Sequence, residues 1–113
     1  MPPKISIVTV TCNAGLLLEK TFASIEKLKY DNKELIVVDG LSTDNTMAII
    51  KRYSERGIIT SYVSERDNGI YDAMNKGVRM CSGEWVIFMN AGDAFASDDV
   101  LQRVFSGSPI EAD

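Results

Sequence analysis

The 113-residue sequence contains no histidine, only two cysteines and no long apolar segment. Without histidine, a Ser-His-Asp triad cannot form. Cys12 and Cys81 lie too far apart for the usual spacing of zinc ligands, and a secreted disulfide scaffold would contain more cysteines. We therefore expect two reduced thiols. No run reaches the ~20 apolar residues of a membrane-spanning helix, and the amino terminus lacks a signal-peptide pattern. These features predict a cytoplasmic protein without a membrane span.

The sequence also lacks a cluster of basic residues. It has 12 lysines and arginines against 16 acidic residues, so the formal net charge is −4. Nucleic-acid binding draws most of its affinity from clustered positive charge, and we therefore exclude it. A single nucleotide stays compatible with this charge, because backbone N–H groups and a metal ion can bind a diphosphate. With 45% apolar residues, the chain can bury a core.

Several nucleotide-binding and hydrolase motifs are missing. The first strand is followed by neither G-x-G-x-x-G nor G-x-x-x-x-G-K-[ST], which disfavours classical dinucleotide folds and P-loop NTPases. A G-x-S-x-G nucleophile elbow is also absent. Any nucleotide site in this chain must therefore be formed by residues other than those of these motifs.

Short β-branched segments alternate with amphipathic ones along the chain. We predict strands at 5–11, 35–38, 58–63 and 85–89, and helices at 16–28, from the N-cap candidates at 42–45 to 57, at 70–81, and from about 97 onward. Gly77 falls on the apolar face of the third helix, which indicates close packing on the sheet. This order predicts a single α/β domain over 1–113, with a mostly parallel Rossmann-like sheet and helices on both faces.

Polar, acidic and glycine residues concentrate where the predicted strands end. Ligands of open parallel sheets bind at the carboxyl ends of the strands, so these residues form a candidate site. At any one strand end, ordinary turn chemistry is the alternative, because Asn, Asp and Gly are the usual turn residues. Asp39 can accept hydrogen bonds from a ribose hydroxyl or a base N–H, or it can cap the following turn. Asp93 is the candidate metal ligand, since a cation would offset the repulsion between carboxylates and a diphosphate. On the third helix, Asp72 and Asn75 are stronger candidates than Arg79, because they lie next to the Asp67 loop.

Four segments together resemble family 2 glycosyltransferases of the GT-A fold. They are IVTVTCN at 7–13, ELIVVDGLSTDNT at 34–46, ERDNGIYDAMNKG at 65–77 and GEWVIFMNAGD at 83–93. Each segment alone is loose, but all four occur in the family's order and span almost the whole chain. The resemblance implies transfer of a sugar from a nucleotide-diphosphate donor to an acceptor hydroxyl, usually with inversion and with Mg²⁺ or Mn²⁺, in polysaccharide or glycoconjugate synthesis.

The resemblance also assigns residues. Asp39 would contact the base or ribose, the end of the first strand would line the same pocket, and Asp67 and Asn75 would lie beneath the diphosphate and sugar. Asp93 matches the last acidic position of the D-x-D region and is the expected metal ligand. The expected substrate-binding set is Val10, Thr11, Asn13, Asp39, Asp67, Asn75 and Asp93.

Some positions depart from the family pattern. Asn90 and Gly92 stand where many members have carboxylates, so Asp93 would hold the metal nearly alone. Cys12 replaces a residue that is often aromatic, and Met74 one that is often arginine. The acceptor side of the domain and the general base are expected beyond Asp113, so we name no catalytic residue and expect this chain alone to turn over poorly.

Two other readings remain. In the first, the chain is a non-catalytic nucleotide-binding module. In the second, it is a structural α/β domain that self-associates through an exposed sheet edge. The sugar, the base and the acceptor are not specified by the sequence.

Overall fold

The computed structural model describes residues 3–105, in which four strands alternate with four helices. The predicted βαβαβαβα order is confirmed. No helix within these residues is long and apolar enough to cross a bilayer. The strands are β1 Ile5–Thr11, β2 Lys33–Asp39, β3 Ser61–Ser64 and β4 Trp85–Asn90, and the helices are α1 Leu16–Glu26, α2 Thr46–Glu55, α3 Ile70–Met80 and α4 Val100–Phe105.

All four strands are parallel and lie in the order β3-β2-β1-β4. In the central strand β1, Thr11 aligns with Asp39 of β2, and Val10 aligns with Asn90 of β4. The chain runs outward from β1 to β3 and then returns to the far side of β1, so the strand order reverses beside β1. Open parallel sheets bind ligands at such a reversal, outside the carboxyl ends of the strands.

Helices α1 and α2 cover one face of the sheet and enclose the main core. In α1, Leu18, Phe22 and Ile25 recur at helical spacing and are buried. The Phe22 ring lies 5.1 Å from the ring of Tyr53 in α2, so aromatic packing joins the two helices. This core fixes the helices whose first turns border the carboxyl edge of the sheet.

Helix α3 covers the opposite face and approaches the sheet closely. A Cβ atom at Gly77 would lie 2.5 Å from Cγ1 of Val8 and 3.4 Å from Cγ2 of Val38. Only glycine allows this contact, which confirms the predicted close packing of the third helix. Packing therefore closely constrains the position of α3 on β1 and β2.

The strand β4 and the flanks of α3 are less buried than their apolar sequences suggest. Val86 and Phe88 are aligned with Ser6 and Val8 and therefore face the α3 side, yet they are 37% and 42% exposed. Helix α3 buries only Ala73 and Gly77. The reason is that α3 sits over β1 and β2, which leaves β4 uncovered on this side.

Several element boundaries differ from the prediction by up to three residues. β3 begins at Ser61 rather than at 58, because the N–H groups of Ile58 and Ile59 donate to the Tyr53 carbonyl and end α2. α1 ends at Glu26 rather than at 28, and Leu28 is buried in the turn that follows. α4 begins at Val100 rather than near 97. At β3 and α1, the apolar residues that suggested a longer element, Ile59 and Leu28, are buried outside it.

Candidate nucleotide site at the carboxyl edge of the sheet

The carboxyl ends of all four strands carry predicted site residues. Six of the seven lie at or just after a strand end, and the seventh, Asn75, lies in α3. Because parallel strands end at the same edge, the fold brings these six residues to one edge of the sheet. They are Val10, Thr11, Asn13, Asp39, Asp67 and Asp93.

Asp39 is completely buried and its carboxylate is held by two serines. One oxygen accepts hydrogen bonds from the Ser42 N–H at 2.9 Å and the Ser64 hydroxyl at 2.8 Å, and the other accepts one from the Ser42 hydroxyl. Asp39 therefore caps the turn after β2 and ties it to the end of β3. This is one of the two roles that the sequence left open for it; contact with a nucleoside stays a prediction.

Asn13 joins the loop after β1 to the loop after β2. Its side-chain oxygen accepts the Thr43 N–H at 2.7 Å, and its own N–H donates to the Ser42 hydroxyl at 2.8 Å. Its φ of 51° lies in the left-handed region, which asparagine tolerates better than most residues. Asn13 and Asp39 thus share Ser42, so the first two strand ends form one hydrogen-bonded unit.

Gly40 is the point at which the loops after β1, β2 and β3 meet. A Cβ atom there would lie 2.9 Å from Oδ2 of Asp67 and 3.6 Å from Sγ of Cys12. The Asp67 carboxylate therefore rests beside the residue that follows Asp39. Asp39 and Asp67 are 28 positions apart in the sequence, and the fold places them at one short stretch of the sheet edge.

Asp93 lies at the same edge, but on the far side of β1. Asn90 and Asp39 flank β1 from opposite sides, so the β4 end is two strand spacings, about 10 Å, from the β2 end. One carboxylate oxygen of Asp93 accepts the Asn90 N–H at 2.9 Å, and its backbone carbonyl accepts the Thr21 hydroxyl at 2.7 Å. The side chain is exposed. Asp93 is therefore anchored to α1 through its backbone while one carboxylate oxygen remains open to a ligand.

The remaining predicted residues have weaker structural support. Val10 is half-buried, and Thr11 is 5% exposed with a hydroxyl that has no hydrogen-bond partner within residues 3–105. The hydroxyl of Thr9, also on β1, is buried and unpartnered in the same way. Asn75 is exposed on α3, in the second turn. Asn75 therefore lies near the edge only because α3 directly follows the Asp67 loop.

The loop after β3 is held by Asp72, which the sequence offered as a candidate, and by Lys76, which it did not. The carboxylate of Asp72 accepts the Asn68 N–H at 2.9 Å, and this bond, with the nearby Lys76 ammonium, lowers the pKa of Asp72. The Lys76 ammonium donates to the Arg66 carbonyl at 2.7 Å and lies 3.2 Å from Glu65. Desolvation lowers the pKa of Lys76, but the two carboxylates more than offset it and leave that pKa raised. The spacing of Asp72 and Lys76 by one helical turn was the available signal.

The donor set for a cation is small. Residues 3–105 contain no group of three or more Cys, Asp or Glu side chains arranged to hold a metal ion. A magnesium-type ion needs only one or two protein carboxylates when phosphate oxygens and waters fill its other positions. The single exposed carboxylate of Asp93 fits an ion shared with a nucleotide, and does not fit one held by the protein alone.

The chain resembles bacterial glycosyltransferases along most of its length. It is 38% identical over 106 residues to a PGL/p-HBAD biosynthesis glycosyltransferase of Mycobacterium tuberculosis, an alignment covering 90% of this chain and 40% of that protein. It is 31% identical over 104 residues to the putative teichuronic acid biosynthesis glycosyltransferase TuaG of Bacillus subtilis, covering 90% and 41%. The chain therefore spans about two fifths of the length of these relatives.

Solved structures show the same fold. The mannosyltransferase of Pyrobaculum calidifontis in complex with GDP-Man and Mn²⁺ superimposes with a TM-score of 0.84 at 26% identity, covering 96% of this chain and 34% of that one. Staphylococcus aureus TarS in complex with UDP-GlcNAc gives a TM-score of 0.82 at 23% identity, covering 91% and 30%, and supports the fold alone. The predicted GT-A class of α/β fold is confirmed. Residues 6–106 also match the sequence profile of glycosyl transferase family 2, and the chain belongs to that family.

Proposed function

We propose that this chain is the nucleotide-sugar-binding portion of a glycosyltransferase that passes a sugar from a nucleotide-diphosphate donor to an acceptor hydroxyl with inversion. The observation that carries the proposal is the meeting of Asp67 with Gly40, directly after Asp39, at the edge where the strand order reverses. A GDP-mannose complex of a protein with the same fold supports a nucleotide-sugar ligand. The names of the two relatives, which refer to PGL/p-HBAD biosynthesis and teichuronic acid biosynthesis, support a role in polysaccharide or glycoconjugate synthesis.

In this proposal, Asp39 organises the nucleoside side of the site. A carboxylate has about four lone-pair positions, and three are filled by Ser42 and Ser64. One acceptor position is left for a ribose hydroxyl or a base N–H. Asp39 would thus orient the loop that lines the pocket and contribute one further hydrogen bond, with Val10, Thr11 and Asn13 forming the neighbouring wall.

The diphosphate would lie between the β2–β3 side of the edge and Asp93. We propose that Asp93 contributes the open carboxylate oxygen to Mg²⁺ or Mn²⁺, while the loop carrying Asp67 and the first turns of α3, with Asn75, lie beneath the diphosphate and sugar. When bound, the divalent ion offsets negative charge on the diphosphate. The acceptor site and the general base belong, in this proposal, to polypeptide that the longer relatives have beyond the matched region. The 113-residue chain alone should then bind a donor but transfer sugar poorly or not at all.

The experiment is a calorimetric titration of the 113-residue chain with GDP, UDP and dTDP, each with and without Mn²⁺. We expect one nucleotide to bind, and Mn²⁺ to tighten the binding by about tenfold or more. Asp93→Ala should remove most of the Mn²⁺ effect, and Asp39→Ala less of it.

Asp31→Asn is the matched control for charge, because Asp31 is an exposed residue at the amino end of β2. It changes the net charge at the opposite end of the sheet and should leave binding unchanged. No binding of any of the three nucleotides would contradict the proposed ligand class. Equal losses for Asp93→Ala and Asp39→Ala in metal-free buffer would contradict the role of Asp93.

A further inference from the structure

Lys76 is unusually enclosed for a lysine on a helix surface. Its side chain is only 15% exposed, although it lies in the middle of an 11-residue helix that buries little else. Its ammonium lies 2.7 Å from the Arg66 carbonyl, 3.2 Å from the Glu65 carboxylate and 3.5 Å from the Asp72 carboxylate. All three partners belong to the loop after β3 or to the first turn of α3.

These contacts hold the chain on both sides of Asp67. Arg66, whose carbonyl accepts from Lys76, is the residue before Asp67. Asn68, the residue after it, donates its N–H to the same Asp72 oxygen that pairs with Lys76. One ammonium group is therefore bonded directly to one neighbour of Asp67 and, through Asp72, to the other.

The helix that carries Lys76 is fixed to the sheet. Gly77, the next residue, packs so closely on Val8 and Val38 that even a methyl group there would overlap with Val8. The backbone of Lys76 therefore has little freedom to move relative to β1 and β2. The charged hydrogen bond from the Lys76 side chain therefore fixes the loop relative to the sheet.

We propose that Lys76 is a positioning residue of the nucleotide site, whose ammonium holds the loop at 65–69 so that the Asp67 carboxylate stays beside Gly40. This inference rests on the proposed function. A surface ion-pair cluster without a positioning role is the alternative, and such clusters usually contribute little to stability or binding. A positioning role predicts that loss of the Lys76 ammonium weakens nucleotide binding, whereas a surface ion-pair cluster predicts unchanged affinity.

The test compares Lys76→Met with Lys76→Arg and with Lys51→Met. Methionine keeps an unbranched apolar stem but removes the charge, arginine restores a cation with several donors, and Lys51 is an exposed lysine of α2 that serves as the matched control. Two quantities are measured for each protein: the exchange rate of the Asn68 amide by NMR, and the Kd for GDP and UDP in the presence of MnCl₂.

We expect Lys76→Met to accelerate exchange at Asn68 and to raise the Kd of the bound nucleotide by about tenfold. Lys76→Arg should restore most of the affinity, and Lys51→Met should change neither quantity. Faster exchange with an unchanged Kd would overturn the inference and leave the proposed function standing. If the wild-type chain binds none of GDP, UDP and dTDP, the proposed function fails first, and the positioning role fails with it.

A second substitution keeps the test decisive if Lys76→Met does not fold. Glu65 is about half exposed, and Glu65→Gln removes one of the two negative charges that pair with Lys76 without disturbing the core. We expect this variant to fold normally and to raise the Kd by about twofold, a smaller change because two of the three contacts remain. The inference would also be overturned if Lys76→Arg folds and loses protection at Asn68, while both this variant and Glu65→Gln bind the nucleotide with unchanged affinity.

Discussion

The amino and carboxyl ends of the sheet each bury one carboxylate, Glu34 and Asp39, but surround it with different partners. At the amino end, Glu34 accepts hydrogen bonds from the Ser6 hydroxyl at 2.6 Å and from Ser82, and it lies 3.6 Å from the Lys4 ammonium. At the carboxyl end, Asp39 receives only hydroxyl and N–H donors from two serines. The first carboxylate has a cation beside it and the second does not.

The difference extends to the neighbouring residues. Among residues 3–105, no lysine or arginine forms an ion pair with Asp39, Asp67 or Asp93. The amino end is electrically balanced by the protein itself, as expected of a structural contact. The carboxyl end retains negative charge at the edge where the strand order reverses, which suits a ligand that arrives with a divalent cation. We therefore expect the amino end to contribute more to stability and the carboxyl end more to the proposed binding.

The largest expected effect is on stability, at the amino end. Glu34→Ala should lower the free energy of unfolding by about 3 kcal/mol, because it leaves the buried Ser6 hydroxyl and the Ser82 N–H without their acceptor and removes the partner of Lys4. Urea unfolding followed by circular dichroism measures this change. Glu55→Ala, at an exposed position on α2, is the control. Nucleotide affinity should stay unchanged, and a loss of less than about 1 kcal/mol would show that the amino end is not the stabilising one.

Asp67→Asn should show the reverse pattern. Asparagine has the same shape and keeps an oxygen for the Gly69 N–H, which Asp67 accepts at 3.2 Å. The free energy of unfolding should therefore change by no more than about 0.5 kcal/mol. The Kd for the bound nucleotide with Mn²⁺ should rise by about tenfold, since the negative charge facing the ligand is lost. If Asp67→Asn instead destabilises the chain as much as Glu34→Ala does, the division between the two ends does not hold.

The sequence predicted the architecture and the location of the site because both depend on local patterns. β-branched runs and helical spacing gave the order of elements, and the polar residues after each strand marked the carboxyl edge. The architecture is confirmed, whereas the site stays a prediction that rests on the rule that parallel strands end together. The predicted role of Asp39 was only half specified, because the same residue type caps turns and binds ligands.

The amino-end network and Lys76 could not be predicted in the same way. Glu34 precedes the apolar run at 35–38 and carries no local sign that it is only 6% exposed; its partners Ser6 and Ser82 come from distant segments. Lys76 appeared to be one of many surface lysines. Burial of a charged group depends on partners that only the tertiary fold brings together. The exposed apolar face of β4 was missed for a related reason, since an apolar strand does not reveal whether a helix covers it.

The smallest expected effect is a difference in how the two ends respond to pH. Burial raises the pKa of Glu34, but the hydrogen bonds from Ser6 and Ser82 and the charge of Lys4 outweigh it and leave the pKa below its ordinary value. A carboxylate with a lowered folded-state pKa stabilises the fold fully above its unfolded pKa, about 4.3, and loses that contribution as the pH falls through the folded value.

The stability gap between wild type and Glu34→Gln should therefore be constant from neutral pH to about pH 5 and shrink below about pH 4. Urea unfolding of both proteins at a series of pH values measures this gap, and the subtraction removes the titration of the other carboxylates. A gap for Glu34→Gln that widens on acidification would mean that Glu34 is protonated more readily in the folded chain, and that Lys4, Ser6 and Ser82 do not favour its charged form.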